Sequence, residues 1–85
     1  MKFTWVEAVR MAVLRSCARH GRKDFYRQEI IAEDLDQIVK DTGSAGKTPD
    51  QTLTATLEKL RDMGEVEFVN NRGHYRLLVY LILPE

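Results

Sequence analysis

Residues 48–78, TPDQTLTATLEKLRDMGEVEFVNNRGHYRLL, read as one helix followed by a tight β-hairpin. Thr48 suits an N-cap, Pro49 the first helical position, and Gln51 stands three after the cap, which completes a T-x-x-Q capping box. Leu53, Leu57 and Leu60 recur at i, i+4 and i+7 as one buried stripe, and Gly64 ends the helix after Met63. Val66 and Phe68 then alternate with Glu65, Glu67 and Val69. Asn70, Asn71, Arg72 and Gly73 make a turn, and Tyr75, Leu77 and Val79 alternate on the way back.

Two more helices precede this unit. Val6, Val9, Val13 and Cys17 recur at helical spacing, with Trp5, Ala8 and Ala12 widening the stripe; Thr4 with Glu7 opens that helix and His20-Gly21 closes it. Trp5 and Cys17 are expected in the core. A polar link through Arg22, Lys23 and Asp24 leads to a second helix with Ile31, Leu35, Ile38 and Val39 on its apolar face. The spacing predicts helices over 4–19, 27–40 and 49–63 and a hairpin over 65–79. Phe25 is expected to point inward from a short third strand beside the hairpin. The fold class is α+β, a winged helix-turn-helix of three helices and a C-terminal β-hairpin wing, in a single domain spanning residues 1–85. Residues 41–47, DTGSAGK, form a turn longer than a tight helix-turn-helix requires.

Eighty-five residues allow one small core, and folding at this size buries only about 60% of the chain's surface. With 44% hydrophobic and 31% charged residues the chain is of the globular class. Cys17 is the single cysteine, so no intrachain disulfide or cysteine-based metal site is expected; a reducing, cytoplasmic setting fits. MKFTWVEAVRMAVLRS carries charges every few residues and has no uninterrupted apolar run, so neither a leader nor membrane attachment is expected. The final segment, residues 79–85, is apolar on both alternating faces. It is expected to pack on helix one or to meet a second copy or a partner domain.

Net charge is zero, yet the charges are segregated. Lys2, Arg10, Arg15, Arg19, Arg22, Lys23 and Arg27 crowd the first third, followed by Glu29, Glu33, Asp34, Asp36 and Asp41. The cations either track phosphates or solvate helix one.

Catalytic motifs fail on spacing. Gly43 to Thr48 ends in GKT like a phosphate-binding loop, but Asp41 stands where that motif's first glycine belongs, and Pro49 lacks an N–H. Glu58 and Lys59 are adjacent, without the residue that a nuclease pattern places between them. His20 and His74 have no metal-ligand or nucleophile spacing around them. The chain is expected not to be an enzyme and to use no cofactor or small-molecule substrate.

What remains is a reading surface for double-stranded DNA. With the leucines inward, Asp50, Gln51, Thr54, Ala55 and Glu58 face mostly outward, where Gln can pair with adenine, Thr or Ala can touch a methyl, and Asp or Glu can accept from cytosine. Lys47 and the Thr48 hydroxyl are set to hold a phosphate, Asn71, Arg72 and His74 reach from the wing, and Arg27, from the basic run, is a further candidate DNA contact. The alternative is a protein-interaction module without DNA binding, favoured by zero net charge, an acidic second helix and the apolar tail.

The run FYRQEIIAEDLDQIV followed by residues 48–78 resembles the C-terminal winged-helix domain of DpnI-type restriction endonucleases and Dam-replacing proteins. Its most specific part is Leu57-x-x-Leu60-Arg61-Asp62-x-Gly64-x-x-x-Phe68, then Gly73-x-Tyr75-Arg76-Leu77. The resemblance implies DNA binding through the third helix and wing, as the specificity module of a restriction system or as a small regulator, and recognition of adenine-methylated sites. Where that family often has a hydroxyl cap on helix two, this chain has Tyr26, whose phenol is free for a phosphate.

Overall fold

The computed structural model describes residues 2–43, 48–70 and 72–78. The chain runs α1 (Trp5–His20), β1 (Asp24–Tyr26), α2 (Arg27–Thr42), α3 (Pro49–Asp62), β2 (Val66–Phe68) and β3 (His74–Leu77). The result is a small α+β fold in which three helices pack on a three-stranded antiparallel sheet of order β1-β3-β2. Phe25 pairs with Tyr75, and Phe68 pairs with Tyr75 from the other side. The short strand expected around Phe25 therefore forms, and Phe25 is 0% exposed, its ring stacked on Tyr75 at 5.3 Å.

α1 begins as its sequence requires. Thr4 Oγ1 accepts from the Glu7 N–H at 3.2 Å, and the Glu7 carboxylate accepts from the Thr4 N–H at 2.9 Å. That second bond is the main cause holding the Glu7 carboxyl below its ordinary pKa. Gly21, at φ +66°, closes the helix in the left-handed region. Ala8, Ala12 and Ser16 are fully buried one turn apart, and their small side chains let α1 lie close against both α2 and α3. Cys17 is buried, while Trp5 packs half-buried at the core's margin.

Two expectations are corrected. The buried line of α2 is Ile30, Asp34 and Ile38, with Ile31 and Leu35 flanking it. The helix is turned by one residue, about 100°, from the stripe that apolar spacing alone predicts. Asp34 causes the turn: at 3% exposure it sits under α1, where Arg15 Nε stands 3.5 Å away and the Arg19 guanidinium 3.4 Å. α2 also runs past residue 40, since the Thr42 hydroxyl donates to the Ile38 carbonyl at 2.9 Å and Gly43 caps at φ +64°.

The second correction is at the start of α3. Thr48 has φ −133° and ψ 63°, away from the extended conformation that a capping box needs, and its side chain makes no cap bond. Its carbonyl instead accepts from the Gln51 and Thr52 N–H groups. Leu53, Leu57 and Leu60 are buried as expected. The hairpin closes through the Val69 N–H to the His74 carbonyl at 2.9 Å and through an Asx turn, the Arg72 N–H donating to Asn70 Oδ1 at 2.8 Å. The expectations for Val79 and for the 79–85 tail lie outside the described residues. Among the described residues no helix is long and apolar enough to cross a membrane.

Candidate nucleic-acid interface

The buried leucine stripe of α3 leaves Thr48, Asp50, Gln51, Ala55 and Glu58 exposed along the opposite side. The expected reading face is thus a continuous exposed surface, with one exception. Thr54 is half-buried and its hydroxyl is committed. It accepts from Arg27 Nε at 2.6 Å and donates to the Asp50 carbonyl at 3.2 Å, so its proton is already committed and it cannot donate to a base.

Arg27 opens α2, directly beside α3. Its Nη2 stands 3.8 Å from Asp50 Oδ2, and its backbone N–H donates to the Gly73 carbonyl at 2.8 Å. Gly73, at φ +82°, adopts a conformation that L side chains avoid, and a Cβ there would lie 3.3 Å from Arg27 Cβ. The glycine therefore serves both the turn and the close approach of the hairpin to α2.

Tyr26 and His74 face each other across the β1–β3 pair, their rings stacked at 4.4 Å and 10°. His74 Nε2 donates to Asp24 Oδ2 at 2.8 Å, the main cause holding the Asp24 carboxyl below its ordinary range. The Arg22 guanidinium lies 5.7 Å from the centre of the Tyr26 ring. His74 is therefore a braced group rather than a free wing side chain, and Tyr26 is supported by it. The Tyr26 phenol forms no cap bond; Glu29 accepts from the Tyr26 N–H at 3.1 Å. Arg72 projects from the turn, exposed and without an ion pair to a described residue. Lys47 and Asn71, also expected at the interface, lie outside the described residues.

The structure thus brings together Tyr26, Arg27, Asp50, Thr54 and His74, with Gln51, Ala55 and Glu58 along the adjoining helix face. Asp24, Arg22 and Gly73 are the residues that the sequence reading missed. Gly73 was visible as a turn glycine, but its contact with Arg27 depends on the packing of the hairpin against α2.

Arg10, Arg15, Arg19 and Arg22 of the first third form ion pairs within the fold. Arg10 makes a bidentate pair with Glu65 at 2.7 and 2.8 Å. Arg15 and Arg19 meet Asp34, Arg19 and His20 meet Glu33 at 2.7 and 3.1 Å, and Arg22 pairs with Glu29. Apposition of α1 and α2 sets Arg15, Arg19 and His20 against Asp34 and Glu33. Arg27, from the same third of the chain, turns to α3 instead.

Among the described residues no group of three His, Cys, Asp or Glu side chains is placed to hold a metal ion. Compared with protein-family models, curated proteins and solved structures, the chain matches none.

Proposed function

We propose that this protein is a winged-helix domain that binds double-stranded DNA, α3 entering the major groove and the β2–β3 hairpin acting as the wing. The observation that carries the reading is Arg27, held beside α3 by the Thr54 hydroxyl and tied to the hairpin through the Gly73 carbonyl, next to an exposed helix face that holds Gln51, Ala55 and Glu58. A helix with short polar and methyl-bearing side chains outward, flanked by cations at its start and at the hairpin, suits base readout with backbone contacts on either side. The LRDxGxxxF…GxYRL run, which resembles DpnI-type winged-helix domains, supports the same reading and makes adenine-methylated sites the first targets to try. No chemistry is assigned to the chain itself.

Fluorescence anisotropy with labelled duplex at about 50 and 200 mM salt tests it, because phosphate contacts make affinity fall steeply over that range. Binding that weakens with salt is expected. No binding at the lower salt would sink the DNA reading and favour a protein-interaction module, a role that zero net charge also suits.

A further inference from the structure

Three elements converge on the first residue of α2. The Arg27 backbone is tied to the hairpin through the Gly73 carbonyl, and its Nε is tied to α3 through the Thr54 hydroxyl. The side chain is 25% exposed, so three quarters of it has left water. A guanidinium has five N–H donors, and among the described residues only the one on Nε has a hydrogen-bond partner. Both Nη atoms lack a hydrogen bond to any described residue; Asp50, itself 53% exposed, stands 3.8 Å from one of them. With its stem packed and its Nε bonded to Thr54, the guanidinium is held in one orientation, while its Nη atoms are not among the buried atoms and remain open to an external partner.

The planar fork of arginine fits two partners in a nucleic acid: the paired oxygens of a phosphodiester, or O6 and N7 of guanine. Position separates them. Arg27 lies behind Thr54, on the half-buried flank of α3, whereas Gln51, Ala55 and Glu58 occupy the exposed face that would meet base edges. A group set back from that face meets the sugar-phosphate backbone.

We infer that Arg27 is a pre-set clamp for a DNA phosphodiester and that Thr54 is its positioning residue, acting through Arg27 and not on a base. The inference rests on the DNA-binding reading and assigns Thr54 a role opposite to that of its neighbours on α3.

The test uses the full chain and a labelled pool of random-sequence duplexes, with affinity followed across salt, after circular dichroism shows each variant folded. Arg27→Ala is expected to weaken binding to the pool about ten- to a hundredfold, the loss of charge-assisted hydrogen bonds, and to reduce the slope of log K against log salt by about 0.9. Arg27→Lys, which keeps the charge and the stem, should hold the slope yet lose most of the affinity, since lysine lacks the fork. Thr54→Ser should match the parent. Thr54→Val should lose affinity for every duplex alike, and it should lose nothing further when added to Arg27→Ala.

Several results overturn the assignment. One is an unchanged salt slope in Arg27→Ala; another is additive losses from Thr54→Val and Arg27→Ala. A third is a change of sequence preference in Thr54→Ser, which would make the Thr54 methyl a base reader. Inorganic phosphate at matched ionic strength should not displace duplex; displacement that vanishes in Arg27→Ala would mark a free-anion site instead. A parent chain that binds no duplex at about 50 mM salt ends the DNA reading and this inference together. Binding that persists while Arg27 proves indifferent ends this inference alone.

Discussion

The seam between α1 and α2 and the face formed by α3 with the hairpin treat charge in opposite ways. At the seam Arg15, Arg19, His20 and Arg22 meet Asp34, Glu33 and Glu29, and each carboxylate has its cation. On the other face Arg27 and Asp50 meet only loosely, at 3.8 Å and without a hydrogen bond, Arg72 has no ion pair with a described residue, and Glu58 stands exposed. Formal charge along the chain therefore says little about where a polyanion can bind. What matters is which charges the fold leaves without an internal partner.

The largest expected effect falls on the seam. Asp34 is the buried partner of two guanidinium groups, accepting from Arg19 and standing 3.5 Å from Arg15 Nε, and Arg15 Nη2 is already buried without a hydrogen bond. Asp34→Ala leaves Arg15 without its carboxylate and Arg19 with Glu33 alone. It should cost about 2–3 kcal/mol, held to that range because Arg15 and Arg19 can still reach water. A urea midpoint lowered at constant m-value measures it. Duplex affinity of the folded variant should be unchanged, and an affinity loss of similar size would break the division between the two regions.

Next in size is Gln51→Ala, on the exposed start of α3. Its cost should be concentrated at one base pair of a preferred site, about 1–3 kcal/mol there and little elsewhere. Competition among single-base variants of a selected duplex reads it. Equal weakening at every site would make Gln51 a spacer on the surface.

The difference between the two regions also shows what could be read from sequence. The leucine stripe of α3, the Thr4–Glu7 box, Gly21, Gly64 and the inward Phe25 were legible because each depends on residues a few positions apart or on strict alternation. The exposure of Gln51, Ala55 and Glu58 follows from the same stripe. Asp34 was misread because an acidic residue scores as surface until its partners on another helix are known, and the apolar line of α2 was displaced with it. Thr54 lies at the edge of the leucine stripe, where periodicity cannot separate an outward residue from one turned to a neighbouring helix. Its partner Arg27 is on a different element. The Thr48 box matched in composition and failed on backbone conformation, which no residue count reports.

Arg72→Ala tests the exposed side of the comparison more gently. Its side chain is not tied into the fold, so stability should move by less than about 0.5 kcal/mol. Affinity should fall by about 1 kcal/mol for all duplexes alike, with the salt slope reduced by about 0.9, one phosphate's worth. Anisotropy titrations on two unrelated duplexes decide it. A loss confined to one of them would turn the wing from a backbone contact into a base reader.

The smallest effect concerns protons, and each region holds one histidine–carboxylate pair. His74 donates to Asp24 on the hairpin side, and His20 to Glu33 at the seam; in each case that bond is the main cause of a lowered carboxyl pKa. Unfolded Asp and Glu titrate near about 3.9 and 4.3. A carboxyl depressed below that value in the folded state contributes stability that is present above the unfolded pKa and lost as pH falls through the folded one. Both pairs should therefore be intact at neutral pH and weaken in the acid limb, and carboxyl carbon shifts across that limb give each midpoint separately. His74→Phe keeps a ring to stack on Tyr26 while removing the donor. It should bring the Asp24 midpoint back toward its unfolded value and leave Glu33 where it is. His20→Ala should release Glu33 in part, because Arg19 still donates to it at 2.7 Å, and should leave Asp24 unmoved. If either substitution shifts both carboxyls, the two regions exchange strain through α2, and the seam can no longer be treated as independent of the face formed by α3 and the hairpin.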